Sequence, residues 1–327
     1  TWQMRGILAH DAYRDGIRRN DRNRYELYPN QLQVAFESYD RASQLDGRGR
    51  MERQLRPRFV LLANDFQQLG ERNFKNNNFS ESRKAFEKAL EIAKRPSLNM
   101  QPDTNLIYNA GLAAYEAREW EKTNKHLSLL HNHGHSINAT HLLYKSKLAL
   151  EDSMSAAQVL MEGIEVYDEA EDLILLLADF FVSGDEFRNA HQVLDDAIAQ
   201  DPENDTYHYT KGLIYEKSGR FNDAILSYFE AIRIDPDQVV THVHVATCYY
   251  NIGVEIEEES RTLTNNAVVR EKRMQSEAAY EAALTWLEEA QGKNPTDQET
   301  LQKIYDLYRM LRVNDRAKSV EEQLNGG

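Results

Sequence analysis

Small and large apolar residues recur on one face of a predicted helix in the second half of the chain. Ala224, Tyr228 and Ala231 are spaced four and three residues apart, so they fall on one side of an α-helix. Ala190 and Ala197 occupy the same positions 34 residues earlier. A helix with a single apolar face cannot bury that face alone. The pattern therefore predicts repeated helical units that stack on one another.

Prolines mark the ends of two of these units. Pro202 and Pro236 also lie 34 residues apart, and each follows an aspartate at the end of an apolar helical run. Proline disfavours helix in the residue before it, and it is well suited to open the next segment. The unit ending at Pro236 also predicts close helix packing at Gly212. We expect the ring of Tyr215, three residues on, to fill the space between the helices one turn later.

These residues resemble the tetratricopeptide repeat family, whose pattern is W-x2-L-G-x2-Y, then A-x3-F, then P. The matching residues are Gly212, Tyr215, Ala224, Tyr228 and Pro236. The departures are His208 and Lys211, which stand where the family prefers tryptophan and leucine. The resemblance implies an all-α fold, a right-handed α-solenoid of stacked antiparallel helix pairs.

The repeat of about 34 residues extends along most of the chain. It predicts a solenoid of about seven units over residues 61–327, with an extended helical hairpin at about 254–279. Residues 1–60 are less regular, and we expect them to form a helical N-terminal cap, a degenerate repeat.

Composition and charge narrow the class of partner. The chain has 39 basic and 53 acidic residues, a net charge of −14. Such an acidic body argues against nucleic acid, whose binding depends on Lys and Arg contacts to phosphate. The sequence contains no apolar run long enough to span a membrane and no nucleotide-binding, hydrolase or metalloprotease motif. We therefore expect a non-enzymatic protein without a cofactor, and a buried rather than reactive Cys248.

One histidine-rich tract suggests a different function. His131, His133, His135 and His141 lie close together, and imidazoles bind zinc, nickel or copper. We interpret residues 131–135 as a polar connector between two units and His141 as a core residue. A metal-binding protein built on the His131–His141 cluster remains the alternative. A further alternative is the repeat region of a larger enzyme or transport assembly.

The resemblance implies that the first helices of the units line a concave channel that binds a peptide or a partner helix. The candidate partner-binding residues are Asn105, Tyr108, Asn109, Leu112, Tyr115, Tyr209, Leu213, Tyr250 and Asn251. Amide groups can pair with a peptide backbone, and tyrosines add apolar area with a hydroxyl group. The expected partner is therefore a protein or peptide, and the sequence does not fix the oligomeric state.

Location is suggested only by resemblance. The chain is similar to repeat proteins common in Bacteroidetes-like bacteria, which are often exported. This implies a periplasmic or envelope-associated protein, with the cytoplasm as the alternative. Because the chain begins with Thr1, we expect it to have been processed, with any signal peptide outside the given sequence.

Overall fold

The computed structural model describes residues 1–19, 30–98 and 103–326, and these residues form helices without a strand. Of these described residues, 82% are helical. Part of the predicted N-terminal cap, residues 20–29, lies outside the described residues. The helices divide into two compact units, Thr1–Ala170 and Glu171–Gly327. Within each unit, every helix packs against the next one along the chain.

The first unit contains eight described helices. They are α1 (Trp2–Arg18), α2 (Gln31–Gln44), α3 (Arg50–Lys75), α4 (Phe79–Ala93), α5 (Thr104–Glu116), α6 (Trp120–His131), α7 (Ile137–Ala149) and α8 (Ser153–Val166). Besides the sequential contacts, α5 touches α7, so the first helices of neighbouring pairs lie side by side.

The second unit also contains eight described helices. They are α9 (Glu171–Ser183), α10 (Phe187–Gln200), α11 (Asp205–Lys217), α12 (Phe221–Ile234), α13 (Val239–Arg261), α14 (Asn266–Lys293), α15 (Gln298–Met310) and α16 (Asn314–Gly326). The two longest helices of this unit, α13 and α14, have 23 and 28 residues and pack on each other as a hairpin.

A glycine on the first helix of several pairs packs against a large side chain of the second helix. A Cβ atom on Gly212 would lie 2.5 Å from Cδ1 of Tyr228, and one on Gly70 would lie 2.6 Å from the ring of Phe86. Tyr228 thus projects from the partner helix onto the glycine, while Tyr215, one turn after Gly212, packs against the core cluster that includes Ala224 and Tyr228.

The small-residue positions of the repeat are buried as the pattern predicts. Ala190 and Ala224 are both 0% exposed, and Tyr228 between the alanines of α12 is also 0% exposed. Small residues let the backbones of paired helices approach closely, because no side chain separates them. The all-α solenoid of helix pairs predicted from the sequence is confirmed.

The turns within the helix pairs share one backbone conformation. Residues with positive φ close α5, α7 and α11 at Arg118 (58°), Glu151 (59°) and Gly219 (74°). In each turn the next amide N–H donates back to a carbonyl of the helix, as from Asp152 to Lys147 at 3.0 Å. This pairing satisfies carbonyl groups that a helix end would otherwise leave without a partner. Sequence reasoning missed these turns because most of them carry no glycine.

Candidate functional site

In the first unit, one face of α5 carries five of the candidate partner-binding residues. They are Asn105, Tyr108, Asn109, Leu112 and Tyr115. Asn105 is exposed and the other four are half-buried, while the opposite face of α5 packs into the core through Leu106, Ala110 and Ala113. The helix therefore presents a mixed amide and apolar face that is partly open to a ligand.

Two residues of this face line a small cavity. Asn109 and Leu112 border a space of about 160 Å³ next to the end of α3. Its other walls are Glu71, Phe74, Lys75 and Phe86. Tyr115 lies farther along α5, where its ring meets Trp120 edge-on at 5.5 Å. An apolar side chain is the group that this small cavity fits, since rings and methyl groups form much of its wall.

In the second unit, Tyr209 and Leu213 on α11 serve mainly in packing. Both lie against a core cluster that includes Tyr228 and Cys248. The ring of Tyr209 lies 5.9 Å from that of Tyr228 and 5.6 Å from the imidazole of His244. Burial raises the pKa of the Tyr209 hydroxyl above its ordinary value. These contacts leave only part of the Tyr209 side chain for a ligand.

Tyr250 and Asn251 lie on α13, and Tyr250 borders a groove between α13 and α15. The Tyr250 side chain is 37% exposed, and its ring lies 5.6 Å from that of Tyr280. The groove has a volume of about 290 Å³. Its other walls are Ala246, Thr247, Leu287, Lys303, Asp306, Leu307 and Met310. Sequence reasoning found Tyr250 but missed Met310, because α15 follows α13 only after the long hairpin.

A half-buried carboxylate, that of Glu216, lies next to Tyr209. Glu216 accepts hydrogen bonds from the Tyr228 hydroxyl at 2.7 Å and from Nδ1 of His244 at 3.0 Å. Burial opposes ionisation, but these bonds hold the pKa of Glu216 below its ordinary value. The sequence search did not single out Glu216, although it occupies the position of Tyr250 one repeat earlier. The network stabilises the contact of α11 with α12 and α13.

Cys248 belongs to the same network. Its side chain is 0% exposed, and its Sγ lies 3.8 Å from Oε2 of Glu216. Burial and the neighbouring carboxylate raise the pKa of the thiol well above its ordinary value. Because the thiolate is the nucleophile, a buried thiol held in its protonated form is a poor catalytic group.

The histidine tract divides into a buried residue and an exposed pair. His131 is not in a loop: it is the last residue of α6, buried between Thr140 and Glu162 at 3.0 and 3.1 Å. The expectation that residues 131–135 form a polar connector is therefore wrong at His131, because the final turn of α6 faces the next helix pair, α7 and α8. Within residues 1–19, 30–98 and 103–326, no group of three His, Cys, Asp or Glu side chains is placed to hold a metal.

Comparison with known proteins finds a family match for part of the chain. Residues 175–239 match the model of the tetratricopeptide repeat family. A search of curated proteins found no match to this sequence. Among the described helices, we find none with the length and apolar character needed to cross a bilayer.

Several solved structures are similar to this one. The C-terminal part of a TPR repeat-containing protein from Cytophaga hutchinsonii is 15% identical, with a TM-score of 0.51, over 79% of this chain and 93% of that chain. A TPR repeats protein from Bacteroides fragilis is 15% identical, with a TM-score of 0.41, over 76% and 98%. Human IFIT1, solved with m7Gppp-AAAA, is 14% identical, with a TM-score of 0.42, over 92% and 65%.

The repeat pattern, the family match and the helix pairs agree with one another. The match covers α10, α11 and α12, where the alanine, glycine and tyrosine positions are filled as the pattern requires. Residues 175–239 are therefore similar to tetratricopeptide repeats, and the described residues have the all-α fold of stacked helix pairs that this similarity implies.

Proposed function

We propose that this chain is a non-enzymatic scaffold that binds a peptide or a helix of a partner protein along the first helices of its repeats. The observation that carries the proposal is the groove beside Tyr250. It combines an exposed tyrosine ring with the apolar side chains of Leu307 and Met310, and Met310 is 45% exposed. Aromatic and apolar anchors of this kind dominate the binding energy of many protein interfaces.

The charges of this groove favour a protein partner over nucleic acid. Lys303 is the cation that lines it, and its ammonium group pairs with Glu299 at 2.7 Å. Asp306 adds a negative charge to the same wall. Nucleic-acid affinity depends on cations that are free to neutralise phosphate. The face of α5 in the first unit, with Tyr108, Asn109 and Leu112, supports the same proposal through amide and apolar groups.

A peptide display selection tests the proposal. The complete chain is immobilised, peptides enriched from a random library are synthesised, and their affinities are measured by calorimetry. We expect Tyr250→Ala to lose about 1–2 kcal/mol of binding free energy, because it removes an aromatic anchor. Tyr108→Ala tests the first unit in the same way.

Leu226→Ala is the matched control. Leu226 is 65% exposed on α12, away from the groove, so its replacement removes apolar surface without touching the candidate site. Enriched peptides that bind the Tyr250→Ala, Tyr108→Ala and wild-type chains equally well place the binding surface elsewhere. A selection that enriches no peptide contradicts peptide binding itself.

We also propose that the scaffold works in the bacterial envelope, with the cytoplasm as the alternative. The support is the resemblance of its sequence to exported repeat proteins. Fractionation of the source cells, followed by protease treatment of intact spheroplasts, distinguishes the two locations. Recovery in the protease-resistant cytosolic fraction contradicts the envelope assignment.

A further inference from the structure

A second groove crosses the first unit between α4 and α6. It has a volume of about 980 Å³, and its residues come from both helices, the start of α5 and the segment after α6. They are Glu87, Leu90, Glu91, Lys94, Thr104, Ile107, Lys122, Lys125, His126, Leu129, Leu130, His133 and His135. None of the residues proposed above for peptide binding lines this groove. It is therefore a separate surface.

The two carboxylates of the groove already have cationic partners. Glu87 pairs with the guanidinium of Arg83, and it also accepts a hydrogen bond from Nε2 of the His126 imidazole at 2.8 Å. Glu91 pairs with Lys88 at 2.5 Å. The ion pairs with Arg83 and Lys88 reduce the negative charge that these two carboxylates present to a ligand.

Three lysines of the groove keep their charge available. Lys94, Lys122 and Lys125 are exposed, and no ion pair engages them among the described residues of the chain. Two exposed histidines, His133 and His135, also line the groove, with their rings stacked 5.8 Å apart. The groove is thus locally positive on a chain whose net charge is −14.

The floor of the groove is apolar. Leu90, Ile107 and Leu130 are each at most 7% exposed, but Leu129 is 46% exposed and stands among the cations. When an apolar group of a ligand covers the exposed Leu129 side chain, apolar surface is removed from water, and this burial favours binding. The surface therefore combines apolar area with a positive rim.

We infer that this groove binds an acidic amphipathic segment of a partner protein, one that carries Asp or Glu beside leucine-like side chains. Acidic groups of the segment meet Lys94, Lys122 and Lys125, while its apolar side chains cover Leu129. Complementary charge of this kind speeds association and selects the partner. Nucleic acid fits less well, because its exposed backbone offers nothing for the apolar floor and the rest of the chain repels it.

The test uses a designed probe and the complete chain. A fluorescein-labelled helical peptide carries glutamates on one face and leucines on the other, and its counterpart has lysines in place of the glutamates. Anisotropy titrations are made at low and high salt. We expect the acidic peptide to bind, its affinity to fall with salt, and the lysine peptide to bind at least roughly tenfold more weakly.

Variants locate the binding site. Lys125→Glu should weaken the acidic peptide by roughly fivefold or more at low salt, because it replaces an attractive charge with a repulsive one. Its matched control is Lys145→Glu, which makes the same charge change at an exposed position of α7 outside the groove. Leu129→Ser should also weaken binding, whereas Met154→Ser, at a residue 87% exposed on α8, should not. Thermal melts verify that each variant is folded.

Four results overturn the inference. The first is equal binding of the acidic and lysine peptides, and the second is an equal loss of affinity for Lys125→Glu and Lys145→Glu. The third is a single-stranded RNA oligonucleotide that binds more tightly than the acidic peptide and is weakened by the same variants. The fourth is self-association in sedimentation that Lys125→Glu abolishes, which assigns the groove to a second copy of the chain. The Tyr250→Ala variant should bind the acidic peptide normally, so this test is independent of the proposed function.

Discussion

Gly212 on α11 and Tyr228 on α12 lie in direct contact, with the tyrosine ring packed where the glycine has no side chain. A Cβ atom on Gly212 would approach Cδ1 of Tyr228 to 2.5 Å. The ring cannot move away easily, since Tyr228 is 0% exposed and its hydroxyl is bonded to Glu216. The pair thus sets the separation of α11 and α12, and with it the position of the first-helix face that we propose as the binding surface.

Gly212→Ala should therefore destabilise the protein. Although alanine is the better helix former, overpacking against the buried ring should cost about 1–3 kcal/mol. Gly292→Ala is the control, because Gly292 is also helical but has no neighbour within 4 Å of an added Cβ. That control should change the stability by less than about 0.5 kcal/mol, because Gly292 is the last residue but one of α14, where glycine costs less than in the middle of a helix. Urea unfolding measures both, and equal effects would mean that the close contact is not rigid.

Ala190→Leu and Ala224→Leu should each cost about 1–3 kcal/mol by forcing a larger side chain between paired helices. Both alanines are 0% exposed. Ala199→Leu is the control on α10, where the residue is exposed and the same change adds no buried volume. Wild-type melting temperatures for the two buried variants would show that the packed face of these helices is a different one.

Glu151→Gly should stabilise the protein, which is unusual for a change to glycine. Glu151 has a φ of 59°, a left-handed conformation that costs a residue with a side chain roughly 1–2 kcal/mol. Glycine removes this cost but loses more conformational entropy on folding, so we expect a net gain of about 0.5–1 kcal/mol. Gly219→Ala, at the equivalent turn with φ 74°, should instead lower the stability. A loss of stability in Glu151→Gly would mean that other contacts fix this turn.

Stability should fall as the pH drops below about 6.5, the ordinary pKa of histidine. Burial lowers the pKa of His126 in the folded chain, with Lys125 and Arg83 acting in the same direction and Glu87 opposing them. The unfolded chain then binds a proton more readily than the folded one, so acid favours unfolding until the pH passes the folded pKa. His126→Gln should flatten this part of the curve of unfolding free energy against pH. Parallel curves for the variant and the wild type would assign the loss to other groups.

The sequence by itself determined the repeat and the fold class. The spacing of Ala190, Ala197, Ala224 and Ala231 and the stops at Pro202 and Pro236 depend only on helical geometry and on the missing N–H of proline. Such local rules hold whatever the neighbouring helices do. They also placed Tyr250 on a first helix, where the structure finds it beside a groove.

Only the tertiary structure decided which residues meet. It brought Tyr228 onto Gly212, buried His131 between Thr140 and Glu162, and packed Tyr209 against His244. It also gathered Lys94, Lys122 and Lys125 around one apolar floor in a chain whose net charge is −14. A sequence pattern gives the face of each helix. The contact partner of each side chain and the local electrostatic potential depend on how separate helices cross, because the crossing brings side chains that are far apart in sequence within a few ångströms of one another.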